Sequence, residues 1–184
     1  MKYPVRRVVT GHDEHGSAII VSDGVPPAVF PIHALPGLVF SEVWRTSDMP
    51  VPIDNEADPT VGPLRLAPTR SGSVIRVVDM PPDPDHRTFR ADELFSEIAA
   101  ASASTSTGRP TDTLMHRTET VDYGIVIEGE IWLVVDESET LLKPGDIVVQ
   151  RGTNHAWSNR SDRNARMVFI LLDGRYELEL ASSA

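Results

Sequence analysis

The chain contains no cysteine. Disulfides, zinc–thiolate sites and cysteine nucleophiles are therefore excluded. Positive charge is scarce: 17 Lys and Arg stand against 27 Asp and Glu, for a formal net charge of -10. A protein that grips a phosphate backbone needs a basic face. Nucleic acid is thus not an expected partner, and the acidic surface serves solubility. No apolar run reaches the length of a bilayer span, so no membrane partner is expected either. The opening, MKYPVRRVVTGHDEHG, has basic residues but no apolar segment before its polar turn. It is read as no secretory signal, with cytoplasmic localisation as the expectation.

Apolar content is ordinary at 40% of 184 residues. That favours one domain, 1–184, with chain enough for a sizeable core. The 15 Pro and 12 Gly fit many turns and few helices. RRVVT and SAIIVSD flank GHDEHG, which suits a hairpin with a polar loop. LVFSEVWRT (38–46) and SVIRVVDM (73–80) partly alternate. Proline-rich segments between them are expected to be loops or edges. A helix is expected over 91–101, within TFRADELFSEIAAASAS (88–104). Leu94, Phe95, Ile98 and Ala99 give it an apolar face, and Asp92 and Glu93 suit its positive end. The small polar run STSTGRPTD follows as a loop.

From 113 onward, TLMHRTET, DYGIVIEG, EIWLVVD, DIVVQRG and ARMVFILLD are separated by short turn sequences. Strands at such regular spacing predict an all-β antiparallel sandwich or small barrel. The organisation expected is N-terminal strands, loops and helix over 1–112, core motifs over 113–172 and a tail over 173–184. The N-terminal strands are expected to complete the same barrel, with a second, degenerate barrel as the alternative.

The spacing of polar residues within 113–172 resembles that of the cupins, small double-stranded β-helix (jelly-roll) barrels. Their first motif has His-x-His, three or four residues, an acidic residue, six residues, then Gly. Here stand His116, Arg117, Thr118, then Asp122, six residues and Gly129. Their second motif has Gly-Asp, a short strand, Gly, two residues, His, three residues, Asn. Here stand Gly145-Asp146, IVVQR, Gly152, Thr153-Asn154, His155 and, after three residues, Asn159. The phrases QRGTNHAWSN and DYGIVIEGE resemble a subgroup of small single-domain cupins. Thr118 replaces the second histidine of the first motif, and Asp122 stands for the usual Glu. Cupins host many functions, so the resemblance speaks to fold more than to chemistry.

His116, Thr118 and Asp122 share a parity, as do His155 and Trp157, so one interior can receive them. Glu119 is expected to face out. The resemblance implies a divalent metal, iron, manganese, nickel or zinc, held by His116, Asp122 and His155. Two imidazoles and a carboxylate with open positions suit such ions. Thr118 and Gln150 would position substrate or water, and Trp157 would wall the pocket. Without metal, the same His and Asp groups serve acid–base work.

Other candidates have plainer readings. His12, Asp13, Glu14 and His15 in GHDEHG are read as a turn. Trp44 is read as core. Arg45, Arg76, Arg117 and Arg151 are expected to snorkel outward; one that pointed inward would suggest a carboxylate or enolate substrate. The helix is expected to pack on the barrel's outside, with a lid over its mouth as the alternative.

Two functions are therefore carried forward. One is a metal-dependent enzyme acting on a small oxygenated organic molecule by dioxygenation, isomerisation, decarboxylation or dehydration/cyclisation. The other is a non-catalytic small-molecule-binding or regulatory cupin with a degenerate metal site. The resemblance also implies a homodimer, formed by exchange of N-terminal strands.

Overall fold

The computed structural model describes residues 4–85, 89–107, 114–177 and 180. Parts of the expected 104–112 loop and of the C-terminal tail lie outside the described residues. The strands are β1 (Arg7–His12), β2 (Ala18–Gly24), β3 (Val29–Pro31), β4 (Val39–Thr46), β5 (Ser73–Met80), β6 (Thr120–Glu128), β7 (Ile131–Val135), β8 (Ser138–Leu142), β9 (Ile147–Arg151), β10 (His155–Ser158) and β11 (Ala165–Asp173); the helix α1 (Ala91–Glu97) lies between β5 and β6. Every pairing between named strands is antiparallel. The all-β architecture read from the sequence is the one observed.

Six strands form one sheet in the order β3-β4-β5-β11-β6-β9, and three form a second in the order β10-β7-β8. The reason is visible in the periodicity. Along β11, Ala165, Met167, Phe169 and Leu171 are buried while their neighbours are less so. Along β6, Thr120, Asp122, Gly124 and Val126 face inward, and Tyr123 is exposed. Those inward faces meet Ile131 and Leu142 of the smaller sheet in one apolar core. Two sheets share that core, as in a β-sandwich or jelly roll.

The N-terminal third divides. β3, β4 and β5 extend the large sheet, as expected. β1 and β2 instead pair with each other as a separate two-stranded sheet. Their connecting GHDEHG is a turn: Asp13 Oδ1 accepts from the backbone N–H groups of His15 and Ser17, and Gly16 takes a positive φ of 79°.

The helix is shorter than the sequence suggested. It ends at Glu97 because Ala99 turns to φ 52°, and Ala100 N–H reaches back to the Phe95 carbonyl. That is a left-handed helix stop without glycine. A 3₁₀ turn at Ala101–Ala103 follows. The consequence is that Leu94, Phe95, Ile98 and Ala100 are buried.

Candidate functional site

The site is built on one backbone contact. His116 and His155 are joined as an antiparallel bridge: His116 N–H donates to the His155 carbonyl at 2.8 Å, and His155 N–H donates back at 2.9 Å. Residues directly opposite in such a pair carry their side chains to the same side. The two imidazoles consequently lie with ring centroids 4.2 Å apart. His116 stands in this isolated bridge, outside β6, so the strand expected over TLMHRTET does not extend unbroken through it.

Both rings are fixed from behind. His116 Nδ1 lies 2.9 Å from the Leu114 carbonyl, and His155 Nδ1 lies 2.9 Å from the Thr153 carbonyl. A carbonyl only accepts, so each Nδ1 carries the proton and each Nε2 keeps a bare lone pair. Among the described residues neither Nε2 has a hydrogen-bond partner. Burial lowers the pKa of His116. Burial, and then the neighbouring His116, push His155 down to about 3. Both rings are neutral at physiological pH.

His116, Thr118, Asp122, His155 and Trp157 all line one cavity of about 130 Å³. The rest of its wall is mostly apolar, with Phe40, Val78, Phe95, Phe169 and Leu171 among the contributors. Aromatic contacts run from Phe95 to His116 (5.7 Å between centroids), from His155 to Trp157 (5.8 Å) and on to Phe169 (5.2 Å). Leu94, Phe95 and Ile98 close one side. The helix is thus part of the cavity wall; it was expected on the outside, but its apolar residues pack into the core.

Asp122 faces the same cavity with its Oδ1 lacking any hydrogen-bond partner among the described residues. Burial pushes its carboxyl up to about 6, opposed by smaller effects of the Thr120 hydroxyl and the Arg76 charge. Thr118 Oγ1 lies 2.8 Å from Thr120 Oγ1. Gln150 is buried but is not among the residues lining the cavity. Its amide instead sits behind His155, with Nε2 3.1 Å from Nδ1 and 2.8 Å from the Thr153 carbonyl. It holds the turn that presents His155.

Among the arginines, Arg117 packs outward on Tyr176, 4.2 Å from its ring, and Arg151 is exposed. Arg76 breaks the expectation. It is 1% exposed and lines the cavity, because it shares its inward parity on β5 with Val74, Val78 and Met80. Glu42 on β4, paired in register with Arg76, is fully buried beside it, with Oε1 3.0 Å from Arg76 Nε. Glu42 was not singled out from the sequence. Its signal was there: an acid on the same parity as Phe40 in LVFSEVWRT. Asn159 is a scaffold group, donating to the Met80 and Arg163 carbonyls at 3.0 and 2.7 Å.

The donor set fits a divalent metal in kind: two neutral imidazoles with oriented bare Nε2 atoms, and one orphan carboxylate oxygen. It is not gathered as a closed cage. Among the described residues, no group of three or more His, Asp or Glu side chains stands close enough together to hold a metal ion.

The family model for the cupin domain matches residues 107–180. The chain is 34% identical over 177 residues to phomopsin biosynthesis cluster protein D of Diaporthe leptostromiformis, covering 92% of this chain and 78% of that protein. It is 28% identical over 181 residues to the cupin-domain-containing oxidoreductase fogC of Aspergillus ruber, covering 92% and 72%. Among solved structures it is similar to the cupin domain of Schizosaccharomyces pombe Cnp3, with a TM-score of 0.46 at 11% identity, covering 98% of this chain and 93% of that one. With the cupin model matching its motif region and a relative 34% identical over most of both chains, the chain belongs to the cupin superfamily.

Proposed function

We propose that this chain is a cupin oxidoreductase acting on a small, mainly apolar molecule that carries an oxygen function. The observation that carries the reading is the His116–His155 pair, with both Nε2 atoms bare, set in an apolar cavity. The cavity volume of about 130 Å³ is close to the roughly 150 Å³ that admits a benzene ring. A one-ring substrate, or an aliphatic one of similar bulk, matches it. The oxidoreductase class is supported by the name of the Aspergillus ruber relative.

His116 and His155 would hold a divalent metal, which when bound supplies Lewis-acid or redox chemistry at a substrate oxygen. The chain's own residues do the rest. The Leu114 and Thr153 carbonyls fix the two ring orientations. Phe95, Trp157 and Phe169 exclude water from the reacting end. Asp122, with its carboxyl near 6, can take or return a proton near neutral pH. Thr118 offers a hydroxyl to the substrate or to a water.

One observation favours a second reading, a non-catalytic binding cupin: no third donor is gathered beside the histidines among the described residues. Metal-supplemented protein incubated with one-ring alcohols, aldehydes and acids, with and without oxygen, separates the two. Product formation that is lost in His155→Ala supports the enzyme. A ligand that stabilises the protein and is recovered unchanged supports the binding module.

The proposal includes a homodimer. The β1–β2 hairpin pairs with no other strand among the described residues and exposes Ile19, Ile20 and Val21, as strands exchanged with a second copy would. Light scattering behind a sizing column reads the mass directly.

A further inference from the structure

Arg76 is a buried cation with a guanidinium nitrogen that its neighbours among the described residues leave unused. Glu42 lies between two arginines: its Oε2 accepts from Arg45 Nε at 2.9 Å, and its Oε1 is 3.0 Å from Arg76 Nε. Arg45 is turned toward the surface, with 17% of its side chain exposed, while those of Glu42 and Arg76 are 0% and 1% exposed. The group of three carries two positive charges and one negative. Asp122, which lines the cavity with Arg76, feels its charge but makes no ion pair or hydrogen bond with it among the described residues.

The nitrogens of Arg76 are unequally used. Nη2 donates to the Arg65 carbonyl at 2.8 Å. Nε faces Glu42 without an aligned hydrogen bond, and Nη1 has no hydrogen-bond partner among the described residues. The side chain also lies over the Phe40 ring, 5.7 Å from its centroid, which holds the guanidinium against the cavity wall. A buried donor without an acceptor costs the full loss of its hydration. Such a cost is met when a ligand supplies the acceptor.

Resting on the reading of this cavity as a substrate site, we infer that Arg76 Nη1 is the specificity contact for one anionic oxygen of the substrate. The substrate class is then an apolar, one-ring-sized oxyanion. With Nη2 and Nε already facing protein oxygens, the guanidinium offers an end-on contact to a single atom, not the parallel fork that grips both oxygens of a carboxylate. A phenolate or enolate oxygen, or one oxygen of a carboxylate, satisfies it.

Isothermal titration of the intact protein with benzoate, its neutral analogue benzamide, and 4-nitrophenol tests this. The absorbance of 4-nitrophenol separates phenolate from phenol. The expected result is benzoate or the phenolate bound at least about tenfold more tightly than benzamide, the range of a charge-assisted hydrogen bond. Which anion is preferred names the source of the oxygen. The double variant Arg76→Gln with Glu42→Gln removes both buried charges together and avoids stranding Glu42. In it the anion preference should fall to near unity while benzamide still binds. Equal binding of anion and neutral analogue by the natural protein overturns the role of Arg76 and leaves the cavity reading standing. So does a preference that survives in the double variant. Binding of none of the probes by the natural protein overturns both. Should the double variant not fold, the comparison within the natural protein, read as the downward shift of the 4-nitrophenol titration on binding, still decides.

Discussion

His116 and His155 exchange both backbone hydrogen bonds, at 2.8 and 2.9 Å, and this alone sets their rings side by side. The two motifs that contain them are far apart in sequence. The bridge is what converts two separate histidines into one neighbouring pair of rings, tilted by 48° to each other, and their Nδ1 contacts to carbonyls decide which nitrogen is free.

The pair and Asp122 respond to pH in opposite senses. Asp122 is raised to about 6 from 3.8, so the folded protein holds its proton where the unfolded chain has released it. Its contribution is present below pH 4 and is lost as pH rises through 6, by up to about 3 kcal/mol for a shift of about two units. In metal-free protein, Asp122→Asn is therefore expected to raise stability at pH 7 and to change it little at pH 4. Urea titrations at the two pH values check this; equal effects at both would contradict it.

His155 runs the other way. Its folded pKa is depressed to about 3 from 6.5, so the unfolded chain binds the proton first on acidification. Stability present above pH 6.5 is lost as pH falls toward 3. His155→Gln is expected to flatten that acid limb in metal-free protein, measured as the dependence of Tm on pH.

The two turn glycines differ in what an added methyl would meet. Gly129 has φ +76°, and a Cβ there would lie 2.7 Å from the Asn164 carbonyl oxygen and 2.8 Å from Ala165 Cα. Gly145 has φ +95° with open space around it. Gly145→Ala should cost only the left-handed conformation, about 1–2 kcal/mol. Gly129→Ala should cost clearly more, because backbone must move. Chemical denaturation of the two variants reads the difference.

Phe95 is 3% exposed and seals the cavity from the helix side. Phe95→Ala is expected to destabilise the protein by about 3–5 kcal/mol. It should also admit ligands of two fused rings that the natural protein refuses. Competition with a naphthalene-based probe, alongside a Tm measurement, tests both halves.

Much of this was legible in the residues. Period-two alternation in ARMVFILLD and DYGIVIEG set the inward faces of β11 and β6, and the turn between RRVVT and SAIIVSD was plain from its polar loop. The cavity-facing positions of His116, Thr118, Asp122, His155 and Trp157 followed from motif spacing and parity. What escaped depended on contacts between distant strands. Gln150 shares a strand with inward residues, yet its amide turns to the Thr153–His155 loop. The helix stop at Ala99 has no glycine to announce it. Arg76 sits at an inward position that parity marked, but an arginine alone in an apolar strand reads as one that snorkels. Its partners Glu42, 34 residues earlier and across the β4–β5 pairing, the Arg65 carbonyl and the Phe40 ring keep it inside.

The metal content of freshly purified protein tests the central claim most directly, measured by elemental analysis alongside His116→Ala and His155→Ala variants shown to be folded. The account expects near-stoichiometric iron, manganese, nickel or zinc in the natural protein, lost in both variants. A natural protein that stays metal-free after reconstitution with each ion would contradict it, and the histidine pair would then belong to a site that works without metal.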